Sequence, residues 1–371
     1  MKRYAVKMAA EGKRKFYYIE DQETFTIVPL PSKFLKHKTE SNRSPNTVKR
    51  LAYSLCCYME YLAEQEMKLA EVWELGFEEQ SRHFVQFLYW LKEGKHITDN
   101  RIASTGNGTC NAYLKDVFRF FAYLVDCEYA NPLKVLSYNQ ITVANAVGVR
   151  RTIRSQSFKG YFKAKDRDVR AAEENEIIDI LKACTNIRDQ LLLLLLAETG
   201  FRIGELLGVD YTRDIDYQNH TISVHFRDDN DNNARAKNAE YRRAKISDDA
   251  FHFLLHYMSQ YRKLLQQQTL LFINIAGDHA GKPLKVESVN DMLERMEKKT
   301  GVKLTAHMFR RYFANARWNA GWSLELISQA LGHKHLDTTI KYLGILDDKL
   351  MEASREFYTQ NSSLYGIEQL L

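Results

Sequence analysis

The sequence predicts a mainly α-helical protein with a small β component, arranged in two domains. Three observations lead there. The chain has 371 residues, a length that suggests two domains and leaves room for a third. From Val48 onward, apolar residues recur at three- and four-residue spacing over long stretches. β-prone runs are few, lying before residue 30 and within 221–246. An apolar content of 45% is ordinary for a chain that buries real cores.

Taken in order, residues 1–40 read as a β-like N-terminal extension. Phe16–Ile19 and Phe25–Val28 flank a polar Glu-Asp-Gln-Glu stretch, which predicts a hairpin ended by Pro29 and Pro31. Residues 41–148 read as a helical domain. Ser44-Pro45 sets a capping residue before a proline at the first helical position, and Val48, Leu51, Leu55, Tyr58 and Leu62 form an amphipathic stripe. Helical patterns continue over about 77–94 and 105–126, the second carrying an aromatic stripe (Tyr113, Phe118, Phe120, Phe121, Tyr123) that reads as core.

A candidate linker spans 138–170, with its basic part at 149–170. The stretch 147–170 holds eight Lys or Arg against two Asp. A solvated surface segment would look similar. Between two domains, however, such a stretch suits a strap along phosphates, where each neutralised phosphate releases counterions. Arg150, Arg151, Arg154 and Lys159 are its candidate contacts. A second domain spans 171–347: helices at 176–183 and 188–199, then a long hairpin from strands 221–226 and 241–246 with its tip near Asp229–Asn233. Helices follow at about 248–265, 286–300, 305–320, 323–331 and 337–342. The tail, 348–371, again spaces its apolar residues helically. The longest apolar run, Leu191–Ala197, is too short to span a bilayer and reads as a buried core helix.

The N-terminus lacks the apolar stretch of a secretory signal. Five cysteines without a CxxC pair or Cys/His ligand spacing fit reduced thiols in a cytoplasmic protein. A net charge of +6 is only a weak hint of a polyanionic partner.

The region 304–345 concentrates the chemistry. His307 and Arg310 stand three residues apart on one helical face, Gly332 reads as a helix C′ residue that holds His333 in a tight turn, and Asp337 reads as the N-cap of a short helix bearing Tyr342. Upstream, Arg202 sits between glycines in ETGFRIGELLG, with Glu205 placed to orient a neighbour or to be solvated. Arg311 and Arg317 compete for the role of Arg310, which is preferred for its spacing from His307. Each piece alone has a bland explanation: a surface arginine, a structural histidine, or one of twenty-one tyrosines. Jointly they can break and rejoin a phosphodiester without a metal, which makes DNA the expected substrate. Two guanidiniums match the oxygens of a pentacoordinate phosphate, and one well-placed donor of this kind is worth roughly 3 kcal/mol. A tyrosine with a pKa near 10 needs nearby cations and a base such as His307 to attack. The leaving 5′ oxygen needs a proton, which a lysine can give. Lys237 and Lys245 are the candidates. Lys237 is preferred because it closely follows the loop, where a hairpin tip can enter a groove; Arg242 and Arg243 are then further candidate contacts.

At these residues the chain resembles the tyrosine recombinases, or phage integrases. Their pattern is Arg, Lys, His-x-x-Arg, His or Trp, then Tyr. It is met by Arg202 in TGFRIGE, Lys237 in ARAKNAEYRR, His307 and Arg310 in AHMFRR, His333 in LGHKH and Tyr342 in DTTIKYLG, over roughly residues 40–350. Two departures stand out: the loop 227–238 is long and Asp/Asn-rich with no glycine beside Lys237, and Arg311 replaces a frequent His. The resemblance implies a two-domain DNA clamp, with residues 41–148 as a core-binding domain and 171–347 as a mixed α/β catalytic domain. It implies cleavage through a 3′-phosphotyrosyl link, no cofactor or metal, and a homotetramer on two double-stranded DNA duplexes with possible accessory proteins. The tail 348–371 would pack on a neighbouring protomer or on its own domain. The N-terminal layout looks similar to the transposase A type, which implies an integrase or transposase of a mobile element. A type IB topoisomerase-like nicking-closing enzyme and a non-catalytic DNA-binding relative are the competing readings.

Overall fold

The computed structural model describes all residues except 1, 13, 98–103, 145–149, 165–169, 226–240, 334, 344–354, 358 and 361–371, and leaves undescribed the side chains of 139–144, 150–156, 341 and 342. The chain forms two compact units, residues 1–167 and 168–371.

The first unit opens with an antiparallel sheet of order β1-β2-β3: β1 (Tyr4–Glu11), β2 (Arg14–Asp21) and β3 (Thr26–Ile27). The hairpin differs from the one expected. Its long arms are β1 and β2, in register from Tyr4↔Asp21 to Glu11↔Arg14, while β3 adds two residues at the edge. The Lys-Met-Ala-Ala run of β1 has weak strand propensity, which hid it. The β segment ends just before Pro29, as expected, but Pro29 also opens a helix: α1 (Pro29–Glu40) takes it in its first turn, where a missing N–H costs nothing. Ile19, Phe34 and Leu35 are fully buried with the helices that follow, and Phe34 meets Phe120 edge-on at 5.6 Å. Residues 1–40 are thus part of this unit's core, not an appended extension.

Helix α2 (Pro45–Glu64) starts as expected, the Ser44 side chain accepting the Thr47 N–H at 3.3 Å. It packs with α4 (Phe77–Lys92) and α5 (Asn107–Asp126), joined by the short α3 (Leu69–Glu74), around Tyr58, Phe84, Phe87, Phe120 and Phe121. The expected aromatic stripe is therefore core.

Much of the expected linker is built structure. Strands β4 (Tyr138–Ala144) and β5 (Arg150–Gln156) pair antiparallel from Tyr138↔Gln156 to Ala144↔Arg150. Beyond them Phe158 is buried against Phe84 and Phe118, and Asn111 exchanges hydrogen bonds with the Phe162 backbone at 2.7 and 3.0 Å. A local basic count cannot reveal such pairing. Lys159 is exposed; the side chains of Arg150, Arg151 and Arg154 lie outside the described residues.

The second unit is built on α7 (Ile187–Thr199), capped by Asn186, whose side chain accepts the Asp189 N–H at 2.9 Å. Its Leu191, Leu192, Leu193, Leu195 and Leu196 are fully buried. Around it lie α6 (Glu174–Ala183), the turn helix α8 (Ile203–Leu206), and a sheet of order β6-β7-β8 from β6 (Ile215–Asp216), β7 (Thr221–Val224) and β8 (Arg242–Lys245). Then come α9 (Asp248–Gln260), α10 (Arg262–Leu265), α11 (Val286–Thr300), α12 (Ala306–Asn319), α13 (Leu324–Leu331) and α14 (Leu336–Leu343). The hairpin tip and most of the tail lie outside the described residues. No helix among the described residues is long and apolar enough to cross a membrane.

Candidate active site

The site grows from two helix ends. Helix α7 stops at Gly200 in the left-handed conformation, φ 62°, and a Cβ there would stand 2.6 Å from the Phe313 ring. Glycine is required on both counts. The chain then turns sharply, and Arg202 becomes the residue before α8. Glu205, in the first turn of α8, accepts the Arg202 backbone N–H at 2.7 Å and its Nη1 at 2.8 Å. Glu205 is buried, so this acid does orient Arg202. Helix α13 ends the same way, at Gly332 with φ 61°, and delivers His333 into a tight turn.

Arg310 closes the gap between these turns. It lies on α12, which packs along α7, and its residue is only 1% exposed. Nη1 donates to the Gly200 carbonyl at 2.5 Å and Nη2 to the Leu331 carbonyl. The guanidinium therefore fixes the Arg202 turn and the His333 turn together. Arg311 lies nearer the surface, and Arg317 donates to the Glu198 carbonyl at 3.1 Å while its guanidinium sits 4.3 Å from the Phe313 ring centroid.

The histidines report the sign of the local field. Burial, then Arg310, Arg202 and Arg242, push His333 down to about 3. Partial desolvation, then Arg311, Arg310 and Arg202, lower His307. Both imidazoles are held toward the neutral form by surrounding guanidiniums. Nδ1 of His333 lies 2.9 Å from Oγ1 of Thr339, which is fully buried on α14. Asp337 stands in the first turn of α14, not at its cap as expected, because the helix begins at Leu336. Tyr342 lies in the same helix, less than one turn after Thr339; its side chain is outside the described residues, as is Lys237.

The hairpin arginines are not alike. Arg242 was expected as a groove contact, yet it is 7% exposed. Its guanidinium pairs with Glu205, donates to the Leu331 carbonyl and stands 5.7 Å from the Phe201 ring centroid. Its guanidinium is thus engaged with these partners inside the site, not presented on the exposed face of the hairpin. Arg243 is on the other strand face, bonded to Asp216 at 2.7 Å and Thr221 at 2.9 Å. Lys245 shares that outer face by the two-residue period of the strand, opposite the side on which Arg242 meets the site. Among the described residues, no group of three or more His, Cys, Asp or Glu is placed to hold a metal.

Residues 167–348 match the phage integrase family. Transposase A from transposon Tn554 of Staphylococcus aureus is 27% identical over 356 residues, covering 91% of this chain and 92% of its own. Tyrosine recombinase XerA of Saccharolobus solfataricus is 29% identical over 201 residues, covering 54% of this chain and 61% of its own. Among solved structures, XerH site-specific recombinase bound to difH aligns with a TM-score of 0.57 at 18% identity, over 85% of this chain and 81% of that one. The Tn1549 transposon integrase gives 0.57 at 16% identity, over 88% and 98%. Such likeness establishes the fold. The family match identifies residues 167–348 as a phage integrase domain, that of the tyrosine recombinases.

Proposed function

We propose that this protein is the DNA strand transferase of a mobile element and that Tyr342 is its nucleophile. What carries this reading is the convergence of the Arg202 turn, Arg310 and the His333 turn on one point beside the helix that bears Tyr342. Arg202 and Arg310 bind the non-bridging oxygens of the scissile phosphate, with His333 as a further hydrogen-bonding partner. The Tyr342 phenolic oxygen attacks phosphorus and its proton passes to His307, which is neutral and able to accept it at pH 7. The P–O5′ bond breaks, and Lys237 protonates the leaving oxygen. Lys237 is preferred over Lys245 because Lys245 lies on the outer face of β8. The 5′-hydroxyl of a partner strand then attacks the phosphotyrosyl link, which conserves the bond and needs no nucleotide cofactor.

Tn1549 integrase was solved with a circular intermediate DNA and XerH with a difH substrate; double-stranded DNA carrying a specific junction is the matching substrate here. The family arrangement of four protomers on two duplexes completes the reading, with action on DNA in the cytoplasm. The test is covalent capture. Wild type and Tyr342→Phe are expressed with the DNA that flanks the native gene, and covalently bound DNA is recovered after denaturation. Wild type yields adducts at a discrete junction, whereas Tyr342→Phe binds the same DNA in a gel shift and yields none. Equal adducts from both proteins would remove Tyr342 from the role.

A further inference from the structure

Among the described residues, Arg242 is a buried cation that the scheme above does not use. Its guanidinium touches both turns that present the others. On one side it pairs with Glu205, the carboxylate that holds Arg202. On the other it donates to the Leu331 carbonyl, the oxygen that also accepts Arg310. Arg310 in turn holds the Gly200 carbonyl, two residues before Arg202. The links close into a circuit: Arg202, Glu205, Arg242, the Leu331 carbonyl, Arg310, the Gly200 carbonyl and back to the Arg202 turn. The turn before His333 lies directly against it, since a Cβ at Gly332 would stand 2.7 Å from Arg242 Nη1. A planar fork of donors can span acceptors on two sides at once; a lysine ammonium cannot.

We propose that Arg242 is a positioning residue for strand cleavage: it holds Arg202, through Glu205, and the His333 turn, through the Leu331 carbonyl, at the spacing that the transferring phosphate requires. This rests on the tyrosine-nucleophile reading. A buried ion pair that served stability alone would have no reason to join the two phosphate-binding turns.

The test uses Arg242→Lys, which keeps the charge and removes the fork. The full-length protein is given a duplex oligonucleotide carrying the junction recovered by covalent capture. Read out are the single-turnover rate of adduct formation at saturating duplex, the duplex affinity, and the folded fraction by circular dichroism at the assay temperature. Misplacement of catalytic groups lowers the adduct rate by about 100-fold, with duplex affinity changed less than about threefold. In an Arg202→Lys background the further loss from Arg242→Lys shrinks below that, because one of the two groups it positions is already gone. A wild-type rate in folded Arg242→Lys, or losses that simply multiply in the double variant, overturns the proposal. Should Arg242→Lys fail to fold, Glu205→Gln probes the same bridge from its other end, and an unchanged adduct rate there overturns it equally. A wild-type protein that binds the duplex and forms no adduct removes the tyrosine reading itself, and this proposal with it; the wild-type reaction separates the two failures.

Discussion

In the first unit the buried charge is a carboxylate. Asp116, 0% exposed, is met by Ser54 and by Arg50 and Arg119, whose side chains are 47% and 60% exposed. At the site of the second unit two guanidiniums are themselves buried, whereas elsewhere in that unit Asp210, 1% exposed, keeps the first pattern with Arg213, whose side chain is 64% exposed. Arg310 and Arg242 are enclosed and held by backbone carbonyls and by Glu205. The contrast separates two uses of charge. Around Asp116 the cations stay in water and their hydrogen bonds brace a helical bundle. At the site Arg310 and Arg242 are taken out of water at a cost that a stabilising role alone does not require. What that cost provides is a set of donors already oriented toward an anion, which need not reorganise when charge develops on it.

The comparison breaks most readily at Arg310. Arg310→Lys loses the bidentate reach to the Gly200 and Leu331 carbonyls and a donor to the phosphate. Its single-turnover adduct rate falls by about 100- to 1,000-fold. Asp116→Ala, by contrast, lowers stability by about 2 kcal/mol in a denaturant titration and leaves the adduct rate of the folded fraction unchanged. If the Arg310 variant were merely less stable, or the Asp116 variant chemically impaired, the division between the two units would fail.

A smaller effect sharpens it. His83 of the first unit is pushed down by burial to about 4, and His333 of the second to about 3. Both folded values lie below the ordinary 6.5, so both rings are neutral at pH 7. As pH falls through 6.5 the unfolded chain takes up the proton first, so each residue makes stability decline toward its folded value. Acid alone therefore does not tell the units apart, whereas junction duplex does. A phosphate beside His333 favours its charged form and raises its pKa by about one unit or more, while His83, bonded to Tyr58 at 2.9 Å inside the bundle, does not move. Ring-proton titrations by NMR, with and without duplex, follow both. An unmoved His333 would place the phosphate elsewhere.

What could be read from the sequence was what short-range spacing dictates. The starts of α2 and α7, the end of α13 at Gly332 and the placement of His307 and Arg310 on one helix all follow from three- and four-residue periods and from capping chemistry. The turn at Gly200 was legible because a glycine there follows a long apolar helix. The misses share a cause: they depend on partners distant in the chain. Strand β1 is defined by β2, not by its own composition, and β4 with β5 pair where only a basic linker was visible. Helix α1, opened by Pro29, was not legible because it gains its stability from burying Phe34 and Leu35 against α5 and its neighbours. Arg242 is the most consequential case. Locally it is indistinguishable from Arg243, and only the register opposite Val224, itself buried, turns it inward to Glu205. The two-residue alternation of β8 held a hint, with Arg242 and Ala244 on one face and Arg243 and Lys245 on the other.

The central claim is that the convergent arginines and histidines serve a covalent bond at one tyrosine. The most direct measurement is to digest the captured adduct with nuclease and protease and locate the nucleotide remnant by mass spectrometry. The account predicts a remnant joined through its 3′ phosphate to the phenolic oxygen of Tyr342, with a 5′-hydroxyl on the other DNA end. A remnant on any other residue, or attachment through a 5′ phosphate, would contradict it.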